Sequence, residues 1–411
     1  MRILTGAAAL RRVRVLEGRT SDFDRVEPVV RNIVADVRRN GDRALLKYAE
    51  KWDGLVSKQS LAVSASELEV AWGMSSREFR RSLEQAAGNI RRFCKWQLPR
   101  DWTRRSGGLS LGQIVRPLES VGCYVPGGRH PLVSTLLMTV IPAQVAGVSK
   151  IRVVSPNPAS EVLAAAHMLG VSEMYRVGGA QAVAGLAYGT QSFPRVDKIV
   201  GPGNLYVTVA KKLVSFDCAI DFLAGPTEAV ILSDRGRPDF IAADLVAQAE
   251  HDTATLPIFI TTSKPLARAI SEILSKVRDK VAAQALRRNG AILLADTRQE
   301  AITWANRIAA EHITVDKRDL PFIQNAGSIF VGDYSAQAAG DYAVGPNHVL
   351  PTAGVARFRG GLSVNDFVKI ITVQELSRAG LSRLGKSITC LAEIEGLSAH
   401  AESIRTRRPN A

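Results

Sequence analysis

The residues best suited to chemistry are few. The chain has six histidines, and two of them have informative neighbours. His251 lies in Gln248-Ala-Glu-His251-Asp252, with Gln248 and His251 three residues apart and so on one face of a helix. His312 follows Glu311 directly, at an expected helix-to-strand junction. A carboxylate beside an imidazole suits proton transfer near neutral pH, although a surface acid next to a helix-capping imidazole has the same sequence. The segment Gly340-Asp341-Tyr-Ala-Val-Gly345-Pro-Asn347-His348 packs Asp, Asn and His into a Gly/Pro loop, a composition shared by functional loops and Asx turns. His400, in a helical C-terminal stretch, reads on its own as structural. Neutral imidazoles, a carboxylate and an amide oxygen suit a divalent ion such as zinc. The spacing matches neither a zinc finger nor H-E-x-x-H.

Glycine-rich segments form a second group: Val125-Pro-Gly-Gly128, Val177-Gly-Gly-Ala-Gln181, Gly201-Pro-Gly-Asn204 and Ala224-Gly-Pro-Thr227-Glu228. The second and third follow expected strands and precede expected helices, where backbone can approach a phosphate; plain loop punctuation has the same pattern. No full G-x-G-x-x-G, Walker A or G-x-S-x-G occurs.

These residues need a frame. Residues 22–50 read as one amphipathic helix and 67–96 as further helix, with Ser66 and Glu69 as a capping box and Ser76 as a second cap. From about residue 120, short apolar runs alternate with helical patterns. Strands are expected at Ile151–Val154, Met174–Val177, Asp197–Val200, Ala229–Leu232, Pro257–Thr261, Ile292–Ala295, Ile313–Val315 and Ser328–Val331. A long helix is expected over about 264–288, and the last 45 residues read as mostly helical with a basic tail from Arg405 to Ala411. The alternation is the βαβ signature of parallel, doubly wound sheets, in two sets. Sites in such folds commonly lie on loops at the carboxyl ends of strands.

Composition narrows the class. An apolar share of 46% and a charged share of 22% are ordinary for a globular protein. The net charge of +14 concentrates early, with 20 basic against 12 acidic side chains over residues 1–100. The arginines alternate with acids at helical spacing, as a solvated face does. No helix-turn-helix, RRM or basic–aromatic interleaving supports a nucleic-acid role. Four scattered cysteines make no disulfide framework and point to a reducing, cytoplasmic compartment. The most apolar stretch, Leu132–Val148, is broken by Pro142 and Gln144, so no membrane span is expected. The N-terminus makes a poor signal peptide.

Together the segments resemble the histidinol dehydrogenase family. The strings are Val121-Gly-Cys-Tyr124-Val-Pro-Gly-Gly128, Val177-Gly-Gly-Ala-Gln181-Ala, Val196-Asp-Lys-Ile-Val-Gly-Pro-Gly-Asn204, Ala224-Gly-Pro-Thr227-Glu, Ala247-Gln-Ala-Glu-His-Asp252, Glu311-His312, Gly340-Asp-Tyr to Asn347-His-Val-Leu-Pro-Thr352, Thr372-Val-Gln-Glu-Leu-Ser377 and Leu397-Ser-Ala-His400. They run in the family's order from residue 121 to 400. Thr227 stands where Ser is frequent, Ala310 where Pro is usual and Pro346 where Thr is common; none of these removes a ligand or a catalytic group.

The resemblance implies an α/β protein of two incomplete Rossmann-like doubly wound domains with a helical N-terminal arm and a helical C-terminal tail. The implied boundaries are 1–20 for the arm, 21–123 plus 228–366 for the first domain, 124–227 for the second, NAD-binding domain, and 367–411 for a dimerisation tail. It implies a cytoplasmic, zinc-dependent homodimer that oxidises L-histidinol with NAD, through L-histidinaldehyde, to L-histidine, the last steps of histidine biosynthesis. Zinc would be held by Gln248, His251, Asp341 and His400. Glu311 and His312 would be the acid/base pair. Thr227, His348 and Glu395 would join Gln248, His251, His312, Asp341 and His400 around the substrate. Tyr124, Gln181 and Asn204 would contact NAD. Intertwined tails would place His400 and Glu395 in the partner's site. A related zinc- and NAD-dependent dehydrogenase of another small alcohol, such as a sulfopropanediol, shares the scaffold; His348, Glu395 and the Glu311–His312 pair favour the imidazole substrate.

Overall fold

The computed structural model describes residues 1–20, 23–56, 59–127 and 131–407. Gly128 of the first glycine-rich string, His130 and the end of the basic tail lie outside the described residues. Two compact units emerge. One comprises Met1–Gln97 and Leu118–Phe367, the other Leu98–Pro117 and Val368–Ala411.

The first unit begins with strand β1 (Arg2–Thr5) and helix α1 (Gly6–Glu17), so the N-terminal arm is a strand followed by a helix. Four helices follow: α2 (Glu27–Asn40), α3 (Asp42–Trp52), α4 (Ala65–Met74) and α5 (Arg77–Gln97). The single helix expected over 22–50 is thus two. Gly41 separates them at φ 52°, a left-handed conformation open to glycine and closed to a continuing helix. α2 buries Val30, Ile33, Val34 and Val37, the i, i+3, i+4, i+7 stripe of a helix lying on a core. The capping box at α4 is formed by Ser64 and Glu67, two residues earlier than expected. Ser76 does cap the next helix, accepting from the Phe79 amide.

Strands β2 (Trp102–Ser106) and β3 (Leu109–Pro117) belong to the second unit. The first unit resumes with β4 (Ser120–Tyr124), α6 (Val133–Ala146), β5 (Lys150–Val154), α7 (Ser160–Met168), β6 (Glu173–Tyr175), α8 (Gly179–Tyr188), β7 (Lys198–Val200), α9 (Leu205–Val214) and β8 (Ala219–Ile220). These five strands form an all-parallel sheet in the order β6-β5-β4-β7-β8. Counted within the set, that is the 3-2-1-4-5 order of a Rossmann sheet lacking its sixth strand. β4, with helices over both faces, is buried at every position and shows no polar alternation.

A second set follows: β9 (Glu228–Leu232), α10 (Pro238–Ala249), β10 (Leu256–Thr261), α11 (Lys264–Ser275), α12 (Lys280–Arg288), β11 (Ala291–Leu294), α13 (Arg298–Ile308), β12 (His312–Val315), β13 (Ser328–Val331) and α14 (Gln337–Tyr342). Its sheet is also parallel, in the order β1-β11-β10-β9-β12-β13. The five later strands repeat the 3-2-1-4-5 order, and β1 adds an edge, aligning Arg2–Thr5 with Ala291–Leu294. The long helix expected over 264–288 is broken, because the Asp279 carboxylate caps a new helix by accepting from the Ala282 amide.

In the second unit β14 (Val368–Leu376) pairs antiparallel with β3 over nine residues, and β3 pairs with β2. Helices α15 (Arg378–Ile394) and α16 (Ser398–Thr406) complete it. The tail therefore opens on a strand before turning helical. Ile370, Ile371, Val373, Leu376, Leu391 and Ile394 stand exposed on this unit. Cys94, Cys123 and Cys218 are buried free thiols, Cys390 is an exposed one, and no helix among the described residues is long and apolar enough to cross a membrane.

Candidate active site

The titratable residues of the first unit meet around Asp341, at the end of α14. Its Oδ2 accepts from the Gln248 amide Nε2 at 3.2 Å, and its Oδ1 lies 3.6 Å from His312 Nε2. Gln248 is in the last turn of α10 and is 1% exposed; its Oε1 has no partner although buried. His251 follows the helix, is exposed, and lies near enough for its charge to act on Asp341 and His348. His348 donates Nδ1–H to the Asp341 carbonyl at 2.8 Å, which leaves its Nε2 as the acceptor toward the Thr135 hydroxyl of α6, 3.4 Å away. Asn347 fixes the same loop, donating to the Met138 carbonyl and accepting from the Val349 amide.

Glu311 and His312 stand where α13 gives way to β12. Glu311 is 7% exposed and His312 3%. Glu311 Oε2 accepts from the Glu228 amide at 3.0 Å and lies 3.7 Å from His312 Nδ1, a buried nitrogen without a partner. Below them Arg19 grips the Glu228 carboxylate with two N–H groups and also donates to the Ile308 carbonyl. Glu228 in turn accepts from the Ala353 amide, and the Gly225 amide donates to the Thr352 hydroxyl, so Thr227 sits on a pinned segment. Glu228 opens β9 and Glu311 precedes β12. The cluster therefore lies at the amino end of the six-stranded sheet, not at the carboxyl ends where such sites are usual.

Burial and excess carboxylate shape the electrostatics. Burial pushes Glu311 up to about 8; the His312 charge and the Glu228 amide oppose this, while the Glu228 and Asp341 charges reinforce it. Burial alone would lower His312, but the Glu311 and Asp341 carboxylates outweigh it and raise the imidazole above its ordinary value. Asp341 is held below its ordinary value by His312, against the opposing effect of burial. Burial lowers His348 below its ordinary value, against the Asp341 carbonyl and carboxylate. Glu311 and His312, both buried and both raised above their ordinary values, lie side by side in an arrangement that suits general acid–base chemistry.

The carboxyl ends of the five-stranded sheet carry the other expected residues. Tyr124 ends β4, is buried, and accepts from the Gly179 amide at 2.9 Å. Gln181 is buried in the first turn of α8 and donates Nε2 to Asp53. Asn204 is exposed and caps α9, accepting from the Tyr206 and Val207 amides. Glu395 and His400 lie in the second unit, at the end of α15 and on α16, both exposed. Three functional-looking residues escape the sequence reading: Arg19, Asp53 and Thr135. Their partners lie far away in the chain, and only the Asp53-Gly54 turn dipeptide hints at any of them.

Could the cluster hold a metal? Among the described residues no three His, Cys, Asp or Glu side chains are grouped so as to hold an ion. A mixed set fits better. The Gln248 oxygen is an orphaned buried acceptor beside the Asp341 carboxylate, with His251 at hand, and oxygen and imidazole donors of this kind suit a zinc-type ion.

Two parallel sheets in Rossmann order, with a buried Glu–His pair beside orphaned polar atoms, fit an oxidoreductase of the dehydrogenase kind. Comparison with known proteins agrees. The profile of the histidinol dehydrogenase family matches residues 16–408. The chain is 46% identical over 398 residues to a histidinol dehydrogenase of Syntrophotalea carbinolica, covering 93% of this chain and 92% of that protein. It is 44% identical over 393 residues to one from Aquifex aeolicus, with the same shares. The crystal structure of histidinol dehydrogenase from Elizabethkingia anophelis superposes with a TM-score of 0.93 at 32% identity, covering 99% of this chain and 98% of that one. The chain belongs to the histidinol dehydrogenase family.

Proposed function

We propose that this protein oxidises L-histidinol with NAD, through L-histidinaldehyde, to L-histidine, in the cytoplasm as the closing steps of histidine biosynthesis. The observation that carries the proposal is the cluster around Asp341, in which the buried Gln248 Oε1 and His312 Nδ1 both lack partners beside carboxylate and imidazole groups. When bound, zinc would fix the amino alcohol and lower the alcohol's pKa, and NAD would accept the hydride.

The chain's own residues supply the rest. Gln248, His251 and Asp341, with the partner subunit's His400, would hold the zinc. His312 takes the alcohol proton, as its neighbouring carboxylates suit it to do. Glu311, buried and shifted toward neutral pH, activates the water that hydrates the aldehyde. Oxidising an alcohol to an acid needs that water between the two oxidations, hence two acid/base groups. Thr227, His348 and the partner subunit's Glu395 orient the substrate, and Tyr124, Gln181 and Asn204 line the NAD site. Exposed Ile370, Ile371, Val373 and Leu376 on β14 support a homodimer that covers them.

Substrate comparison tests the assignment. L-Histidinol and 2,3-dihydroxypropane-1-sulfonate are offered separately with NAD. The proposal expects kcat/KM for histidinol to exceed that for the sulfonate by orders of magnitude. A preference for the sulfonate would move the chain to a related zinc- and NAD-dependent dehydrogenase.

A further inference from the structure

At the carboxyl ends of the five-stranded sheet sits a carboxylate that the scheme above leaves unused. Asp53 follows α3 and is 9% exposed. Its Oδ2 accepts from the Gly178 amide at 2.9 Å and from Gln181 Nε2 at 3.1 Å. Its Oδ1 accepts from no described residue. The Tyr124 hydroxyl, accepting from Gly179, closes the same corner. The loop after β5 forms its other wall: a Cβ placed on Gly178 would lie 2.6 Å from Pro156 Cβ.

Sheets of this order have a use for an acid at that place. A carboxylate at the end of the second strand commonly accepts the ribose hydroxyls of a bound dinucleotide. Here the second strand is β5, and it runs out into Ser155-Pro156-Asn157, with no acid. Asp53 reaches the same corner from a helix outside the sheet. Two N–H donors fix one oxygen and leave the other to accept a hydroxyl.

We propose that Asp53 selects NAD over NADP, its Oδ1 accepting a ribose hydroxyl of NAD and its charge rejecting the 2′-phosphate of NADP. The inference rests on the reading that the five-stranded sheet, through Tyr124 and Gln181, is the NAD site. A residue that only braced Gly178 and Gln181 would affect both dinucleotides alike, whereas like charges brought together penalise one of them.

The test is binding, without turnover. NADH and NADPH are titrated by fluorescence into the unaltered protein, Asp53→Asn and Asp53→Ser. The unaltered protein is expected to prefer NADH, and both variants to narrow that preference by about tenfold or more, with NADPH binding tighter in absolute terms. Equal weakening of both ligands, with the preference intact, overturns the proposal. A check that needs no variant uses displacement of NADH from the unaltered protein: ADP-ribose is expected to compete and 2′-phospho-ADP-ribose to fail, and equal competition by the two overturns it. If neither NADH nor NADPH binds the unaltered protein, the NAD reading itself fails, an outcome distinct from an unchanged preference.

Discussion

Asp341 meets three demands at once: it accepts the Gln248 amide, faces the His312 imidazole, and offers its carbonyl to His348. In the proposed function the residues around it divide the work, with Glu311 and His312 moving protons and Gln248 and His251 holding the zinc. Glu311→Gln and His312→Asn are therefore expected to lower kcat by about 10²–10⁴ while leaving KM nearly unchanged; steady-state kinetics with histidinol check this, and parent-like turnover in either variant contradicts the roles. A second prediction concerns Asp244 on α10, whose carboxyl burial pushes up to about 6, against a hydrogen bond from the Gln337 amide. The folded protein therefore binds that proton more tightly than the unfolded chain. Charging Asp244 opposes folding above about pH 6, and the penalty disappears as pH falls toward the ordinary carboxyl range. Asp244→Asn should raise stability at pH 7.5 by about 1 kcal/mol, after discounting for its remaining water contact, and change little at pH 4; urea midpoints at the two pH values decide it. At this scale the sequence is informative where chemistry sits in neighbouring positions, as Glu311-His312 and Gln248 to His251 do. It is silent on Arg19 and Asp53, each one charge among many in a basic helical quarter, because only folding brings their partners near.

The elements most visible in the sequence are those buried on both faces. β9, β10 and β12 are short apolar runs between helical patterns, and they lie close to where the patterning puts them. β14 was hidden for the opposite reason: all but its first residue are exposed in the unit that holds it, so no inward-facing alternation marks it as a strand. The breaks at Gly41 and Asp279 are local events inside otherwise continuous helical periodicity, which the period cannot register. The amino-end location of the cluster is likewise illegible, since it depends on how segments 224–228, 308–312 and 341–353 converge. Arg19 holds that convergence, joining the turn after α1 to Glu228 and to the end of α13. Arg19→Met would leave the Glu228 carboxylate buried without its partner, at an expected loss of about 3–5 kcal/mol. A urea midpoint within error of the parent would remove Arg19 from that role.

For the whole molecule the proposed function assigns His400, on α16, and Glu395, at the end of α15, to the partner subunit's site. Mixing unaltered subunits with His400→Asn subunits is expected to give heterodimers with about half the parent activity, since one shared site keeps its full set of ligands; heterodimers without activity would contradict the sharing. The central claim, a metal-assisted double oxidation, has a more direct readout in the amount of NADH formed from limiting L-histidinol and excess NAD, with and without a chelator. The proposed function predicts two NADH per histidinol, lost on chelation and restored by zinc. One NADH per histidinol, or two that survive complete removal of metal, would contradict it.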